Sequence, residues 1–194
     1  VSVLPFGEAL AQIVNGLELV GVPYFLGGSV ATVLYGEIRT TQDVDIVVEL
    51  RLEHVPPLVA ALTPTFFVDE LFLRDAIAHG SSCNVIHRTT GFKVDLFTRR
   101  DRAFSRTEMA RRRPVPMLPG LTPQVASAED CVLTKLEWFA KGGRVSERQW
   151  RDILGVLKHQ RGVLDTAYLR HWASELAIGD LLDQALRDAG QSAT

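Results

Sequence analysis

Apolar residues recur at helical spacing at Leu10, Ile13, Val14 and Leu17, which predicts a helix over residues 6–21 closing near Gly21. The apolar run that follows stops at Gly27 and Gly28 and reads as a short strand. Residues 29–36 return to a helical pattern, with Ser29 near its start and Gly36 at its end. Residues 41–50 read as a strand, 51–64 as a helix with proline in its first turn, 65–68 as a strand and 69–80 as a helix. Residues 82–88 and 92–98 flank a Thr-Thr-Gly turn and predict a hairpin.

The pattern changes after this hairpin. Residues 100–124 are rich in arginine and proline and read as a helix or loop leading into a linker. From Ser127 onward every segment is helical. The first opens with a capping box from Ser127 to Asp130 and the second with Ser146 as its cap. Trp138, Phe139, Trp150 and Trp172 sit at helical spacing and read as core. The expected class is α+β: a mixed sheet with flanking helices over residues 1–120, then a helical bundle over 121–194.

Composition narrows this picture. The chain has 194 residues, 46% hydrophobic and 23% charged, with a net charge of −2, so no global charge points to nucleic acid or membrane. Cys83 and Cys131 lie far apart without metal-site spacing and read as core thiols of a reducing compartment, with a single disulfide left open. No basic leader and no apolar run of the ~18 residues that a membrane span needs is seen. The expectation is a soluble, cytoplasmic protein.

Two carboxylates disturb the strand 41–50. Side chains alternate along a strand, so Asp43 and Asp45 share one face while Val44, Ile46 and Val48 take the other. Asp95 interrupts the later strand in the same way, between Val94 and Leu96. Close carboxylates repel, and a divalent cation resolves the conflict. Mg²⁺ favours a few carboxylates, water and substrate phosphates. If the two strands adjoin, the three acids suffice for a pair of metals about 3.5–4 Å apart, as in-line phosphoryl chemistry uses. The plainer alternatives are a strand-start role for Asp43 and a salt bridge from Asp45 to Arg39. Gly27, Gly28 and Ser29 lie between a strand and a helix, where backbone N–H groups and a hydroxyl suit phosphate. Here too a simple tight turn capped by Ser29 is the alternative.

The succession Gly28-Ser29, Asp43-Val44-Asp45 and Asp95 resembles the DNA polymerase β-like nucleotidyltransferase superfamily over about residues 8–100. That resemblance implies Mg²⁺- or Mn²⁺-dependent transfer of a nucleoside monophosphate from an NTP to an acceptor hydroxyl. Gly27, Gly28 and Ser29 would hold the triphosphate. Asp43, Asp45 and Asp95 would bind metal, with Asp95 facing the acceptor, and Arg39 would contact phosphate or lock its loop to the carboxylates.

The helical half is similar to the AbiEii-type branch, found in abortive-infection and toxin–antitoxin systems, through Lys135, Arg148 and Asp152. This implies a second set of nucleotide contacts and, in the toxin case, an antitoxin partner; the plainer alternative is an exposed lysine and an ordinary i,i+4 ion pair between Arg148 and Asp152. Arg99, Arg100, Arg102, Arg106, Arg111, Arg112 and Arg113 form a basic strip that would track an RNA acceptor such as tRNA, with a solvated helix face as the plainer alternative. Two rivals stay open: a small-molecule, aminoglycoside-type nucleotidyltransferase, and a non-catalytic nucleotide- or partner-binding module.

Overall fold

In the computed structural model, which describes residues 5–36 and 43–190, the first apolar stripe folds as helix α1 (Pro5–Val20). Leu10, Ile13, Val14 and Leu17 are all buried, as the spacing requires. Strand β1 (Tyr24–Leu26) and helix α2 (Gly28–Tyr35) follow, then β2 (Asp43–Val48), α3 (Val55–Leu62), β3 (Phe66–Phe67) and α4 (Glu70–His79). The predicted hairpin is β4 (Ser82–His87) with β5 (Lys93–Thr98).

The Arg/Pro-rich segment is more structured than a linker. It holds helix α5 (Ala103–Arg111) and two short strands, β6 (Arg113–Pro114) and β7 (Gln124–Val125). Both strands belong to the main sheet, because Val125 pairs in parallel with Leu26. Two-residue strands carry too little alternation to stand out among prolines. Four helices then complete the chain: α6 (Ala128–Lys141), α7 (Glu147–His159), α8 (Thr166–Glu175) and α9 (Gly179–Asp188).

The described residues form one mixed seven-stranded sheet in the order β3-β4-β5-β2-β1-β7-β6. The strands β2 and β5 run parallel, whereas β4 is antiparallel to β5 and β1 to β2. One face of β2 presents Val44, Ile46 and Val48, all fully buried, and β5 adds Val94 and Leu96. On the same side of β4, His87 is buried and its ring nitrogens meet Thr90 Oγ1 at 2.7 Å and Gln12 Oε1 of α1 at 2.9 Å. Thr98 Oγ1 donates to the Ala76 carbonyl of α4. Helices therefore cover that face, and every second residue of β2 and β5 is turned the other way.

The chain divides into two units: residues 1–27 with 41–125, and residues 28–40 with 126–194. The first contains the whole sheet. The second is helical and includes α2, which the sequence reading kept with the first half. Within it, a Cβ added at Gly36 would stand 2.9 Å from the Thr32 carbonyl oxygen and 3.0 Å from the Val156 nitrogen, so α2 and α7 meet backbone to backbone there. The expected caps are present. Ser127 Oγ accepts from the Asp130 N–H and Ser146 Oγ from the Gln149 N–H. The buried Asp130 carboxylate also accepts from Tyr168 Oη at 2.5 Å, tying α6 to α8. Among the four aromatic residues expected in the core, Phe139 is buried but Trp138 is 44% exposed, because it lies on the outer side of α6 beneath the Lys141 ammonium.

Candidate active site

The other side of the sheet is a grid set by register. On β2 and β5, Asp43 pairs with Lys93, Asp45 with Asp95 and Val47 with Phe97. On β4, Asn84 pairs with Asp95 and Ile86 with Lys93. Directly paired residues point to the same face, about 5 Å apart. One row is thus Asn84, Asp95, Asp45, and the next is Ile86, Lys93, Asp43. The two strands do lie side by side, so the three aspartates that the sequence singled out share one patch.

Local physics explains why β2 tolerates this. Its other face is entirely aliphatic and drives the strand into the sheet, leaving Asp43 and Asp45 half-buried on the opposite side. Asp95, in the middle of the sheet, is only 8% exposed. Lys93 supplies a compensating charge to Asp95. Its Nζ lies 2.7 Å from Asp95 Oδ2. That contact holds the ammonium above its usual pKa, and the fields of Asp45 and Asp43 add to the same effect. The sequence reading passed over both Lys93 and Asn84. Lys93 looks like an ordinary strand start, and only the strand register brings Asn84 beside Asp95.

A hard cation suits this donor set, which is all oxygen and has already drawn in an ammonium. Among the described residues, no group of three or more His, Cys, Asp or Glu side chains is drawn together closely enough to hold a metal as it stands. Beneath the patch, Cys83 of β4 is buried. Burial pushes its thiol up to about 11, and the charge of Asp95 adds to the shift.

The turn after β1 is anchored to the same strand. The Gly27 N–H donates to the Asp45 carbonyl at 2.9 Å. Gly28 follows in the left-handed region, with φ of 47°, where a side chain would be strained, and its carbonyl accepts from Thr32 Oγ1. Ser29 is buried in the first turn of α2. Arg39 lies outside the described residues.

In the helical unit, Asp152 pairs with Lys135 across α6 and α7 (3.0 Å), and the two side chains are 9% and 13% exposed. Arg148, four residues before Asp152, is exposed. The ion pair therefore joins two helices rather than two turns of one. Cys131, one turn before Lys135, is a buried thiol, as is Cys83, and neither is in a disulfide.

The arginine strip is divided. Arg99 pairs with Glu49 (3.2 Å) and Arg106 with Asp101 (2.7 Å). Arg102 donates to Ser105 Oγ, and Arg112 to the Met109 carbonyl. Arg100 and Arg113 are exposed, and Arg111 is half-buried.

Solved structures share this architecture. The solution structure of the antibiotic-resistance factor ANT(2'')-Ia superposes with a TM-score of 0.54 at 11% identity, covering 91% of this chain and 96% of that one. A crystal structure of an antigenic nucleotidyltransferase-like protein from Paracoccidioides brasiliensis gives 0.54 at 16% identity, covering 92% and 91%. A putative nucleotidyltransferase from H. pylori gives 0.50 at 15% identity, covering 94% and 80%. The chain has a nucleotidyltransferase fold. At these identities the likeness is one of fold. No protein-family model and no curated protein matches the chain. On this nucleotidyltransferase fold, the described helices include none long and apolar enough to cross a membrane.

Proposed function

We propose that the chain is a cytoplasmic, metal-dependent nucleotidyltransferase that moves a nucleoside monophosphate from an NTP to an acceptor hydroxyl. One observation carries this reading: Asp45 and Asp95 face each other in register on parallel strands, with Asp43 on the same side, in a nucleotidyltransferase fold. A non-catalytic binding module has no need of three such carboxylates beside one another.

In this reading Asp43, Asp45 and Asp95 hold Mg²⁺ or Mn²⁺, which supplies charge neutralisation for the triphosphate. Asp95, inside the sheet, accepts the proton of the acceptor hydroxyl. The backbone of Gly27 and Gly28 and the Ser29 hydroxyl hold the phosphates. Arg39, Lys135, Arg148 and Asp152 are assigned further nucleotide contacts. Catalysis is then mostly positioning and electrostatic preorganisation.

For the acceptor, the leading reading is RNA, such as tRNA, modified by a toxin-type enzyme with a cognate antitoxin. The exposed Arg100 and Arg113 are its support. A small-molecule acceptor is the second reading. The internal pairing of Arg99 and Arg106 favours it, because paired arginines offer less charge to a polyanion. The test is incubation with labelled NTPs and Mg²⁺, with total RNA, a protein panel and an aminoglycoside panel as acceptors. Label on RNA that is lost in Asp45→Ala supports the leading reading, and label on an aminoglycoside supports the second. Equal labelling by Asp45→Ala and the parent removes the transferase reading altogether.

A further inference from the structure

Lys93 is built into the carboxylate patch rather than placed beside it. Its Nζ contacts Asp95 Oδ2 at 2.7 Å, and its backbone pairs in register with Asp43. The Asp95 side chain is 12% exposed and that of Lys93 43%, so the ammonium reaches a recessed carboxylate from the solvent side. The neighbours on β4 in these two rows, Asn84 and Ile86, are uncharged. Lysine suits such a place: its charge is compact and its four-carbon stem is flexible enough to withdraw at small cost.

We propose, resting on the transferase reading above, that Lys93 is the resident counter-ion of Asp95 and competes with a divalent cation for it. A divalent ion among the three aspartates and an ammonium on Asp95 repel each other at such short range. The lysine therefore leaves Asp95 when metal loads. Between turnovers it neutralises Asp95, which faces Asp45 across the strands. It is a positioning residue that sets how readily metal is taken up, and it touches no reacting atom.

The test is a Mn²⁺ titration of the full chain without nucleotide, with free Mn²⁺ read by electron paramagnetic resonance. Lys93→Met is expected to bind Mn²⁺ about tenfold more tightly than the parent, the worth of one charge-assisted hydrogen bond. Its metal-free melting temperature falls and Mn²⁺ restores it. Lys93→Arg keeps the charge, preserves the fold by circular dichroism and binds Mn²⁺ like the parent. Equal or weaker Mn²⁺ binding by Lys93→Met, or no binding by either protein, overturns the proposal. Label transfer by the parent together with unchanged Mn²⁺ affinity in Lys93→Met removes the counter-ion role and leaves the transferase reading standing. Tighter Mn²⁺ binding without transfer to any acceptor does the reverse.

Discussion

Asp45 and Asp95 stand directly opposite one another on the parallel strands β2 and β5. Parallel neighbours cannot be joined by a tight turn; here the crossover runs through α3, β3, α4 and β4. The two acids are distant in sequence and adjacent in the sheet only because that crossover returns β5 to the flank of β2.

Removing one of these facing charges separates stability from activity. Asp45→Asn removes one charge of the facing pair and keeps the shape of the side chain, so the metal-free protein is expected to stay folded. Stabilisation by NTP with Mg²⁺ disappears, and transfer falls by roughly a hundredfold or more. Thermal melts with and without nucleotide, run alongside the labelling assay, check both halves. A variant that melts early and labels normally contradicts the assignment.

The Lys135–Asp152 pair makes a prediction within the helical unit. Both side chains are nearly buried, so removing Asp152 strands the Lys135 ammonium. Asp152→Leu is expected to cost about 3–5 kcal/mol, and the double variant Lys135→Met with Asp152→Leu to recover much of it. Urea denaturation of the four proteins measures the coupling. If the double variant is as unstable as Asp152→Leu alone, the pair is not the dominant interaction. A nucleotide role for Lys135 adds a separate signature, a raised KM for NTP in the double variant.

Gly36 tests the contact between α2 and α7. A methyl group there meets backbone atoms of Thr32, Gly155 and Val156, none of which moves freely. Gly36→Ala is expected to lose about 1–3 kcal/mol through overpacking. Gly179→Ala is the control: it opens α9, has no atom within 4 Å of an added Cβ, and should be neutral or slightly stabilising. Matching denaturation midpoints for the two variants would refute the close approach.

These residues also show what a sequence can and cannot disclose. Asp43, Asp45 and Asp95 were legible because a charge in an aliphatic strand must face away from the core, and two-residue alternation says which side. The strands and major helices were legible by the same periodicity. Register was not, since nothing local tells β2 that its partner is β5, so Asn84 and Lys93 passed unnoticed. The grouping of α2 with the C-terminal helices was hidden too, because chain order puts α2 between two strands of the sheet. The i,i+4 spacing of Arg148 and Asp152 suggested a partnership within α7. Burial instead pairs Asp152 with Lys135, on a different helix.

Cys83 gives a pH prediction with a definite sign. Burial, with the Asp95 charge adding to it, holds the folded thiol near 11, whereas an unfolded thiol ionises near ~8.5. Between those values the unfolded chain has released a proton that the folded chain retains. Stability from this group is therefore complete below the lower value and is lost as pH rises toward the upper one. Lys93, Tyr24 and Cys131 are also shifted upward, so the total alkaline slope does not isolate Cys83. The difference in unfolding free energy between the parent and Cys83→Ala does. Methyl-for-thiol replacement adds a constant offset, and the pH-dependent part should shrink steadily from pH 8.5 to 11, in favour of the variant. Urea melts at half-unit intervals measure it, and a flat difference over that window would mean that Cys83 ionises in the folded protein as easily as in the unfolded chain.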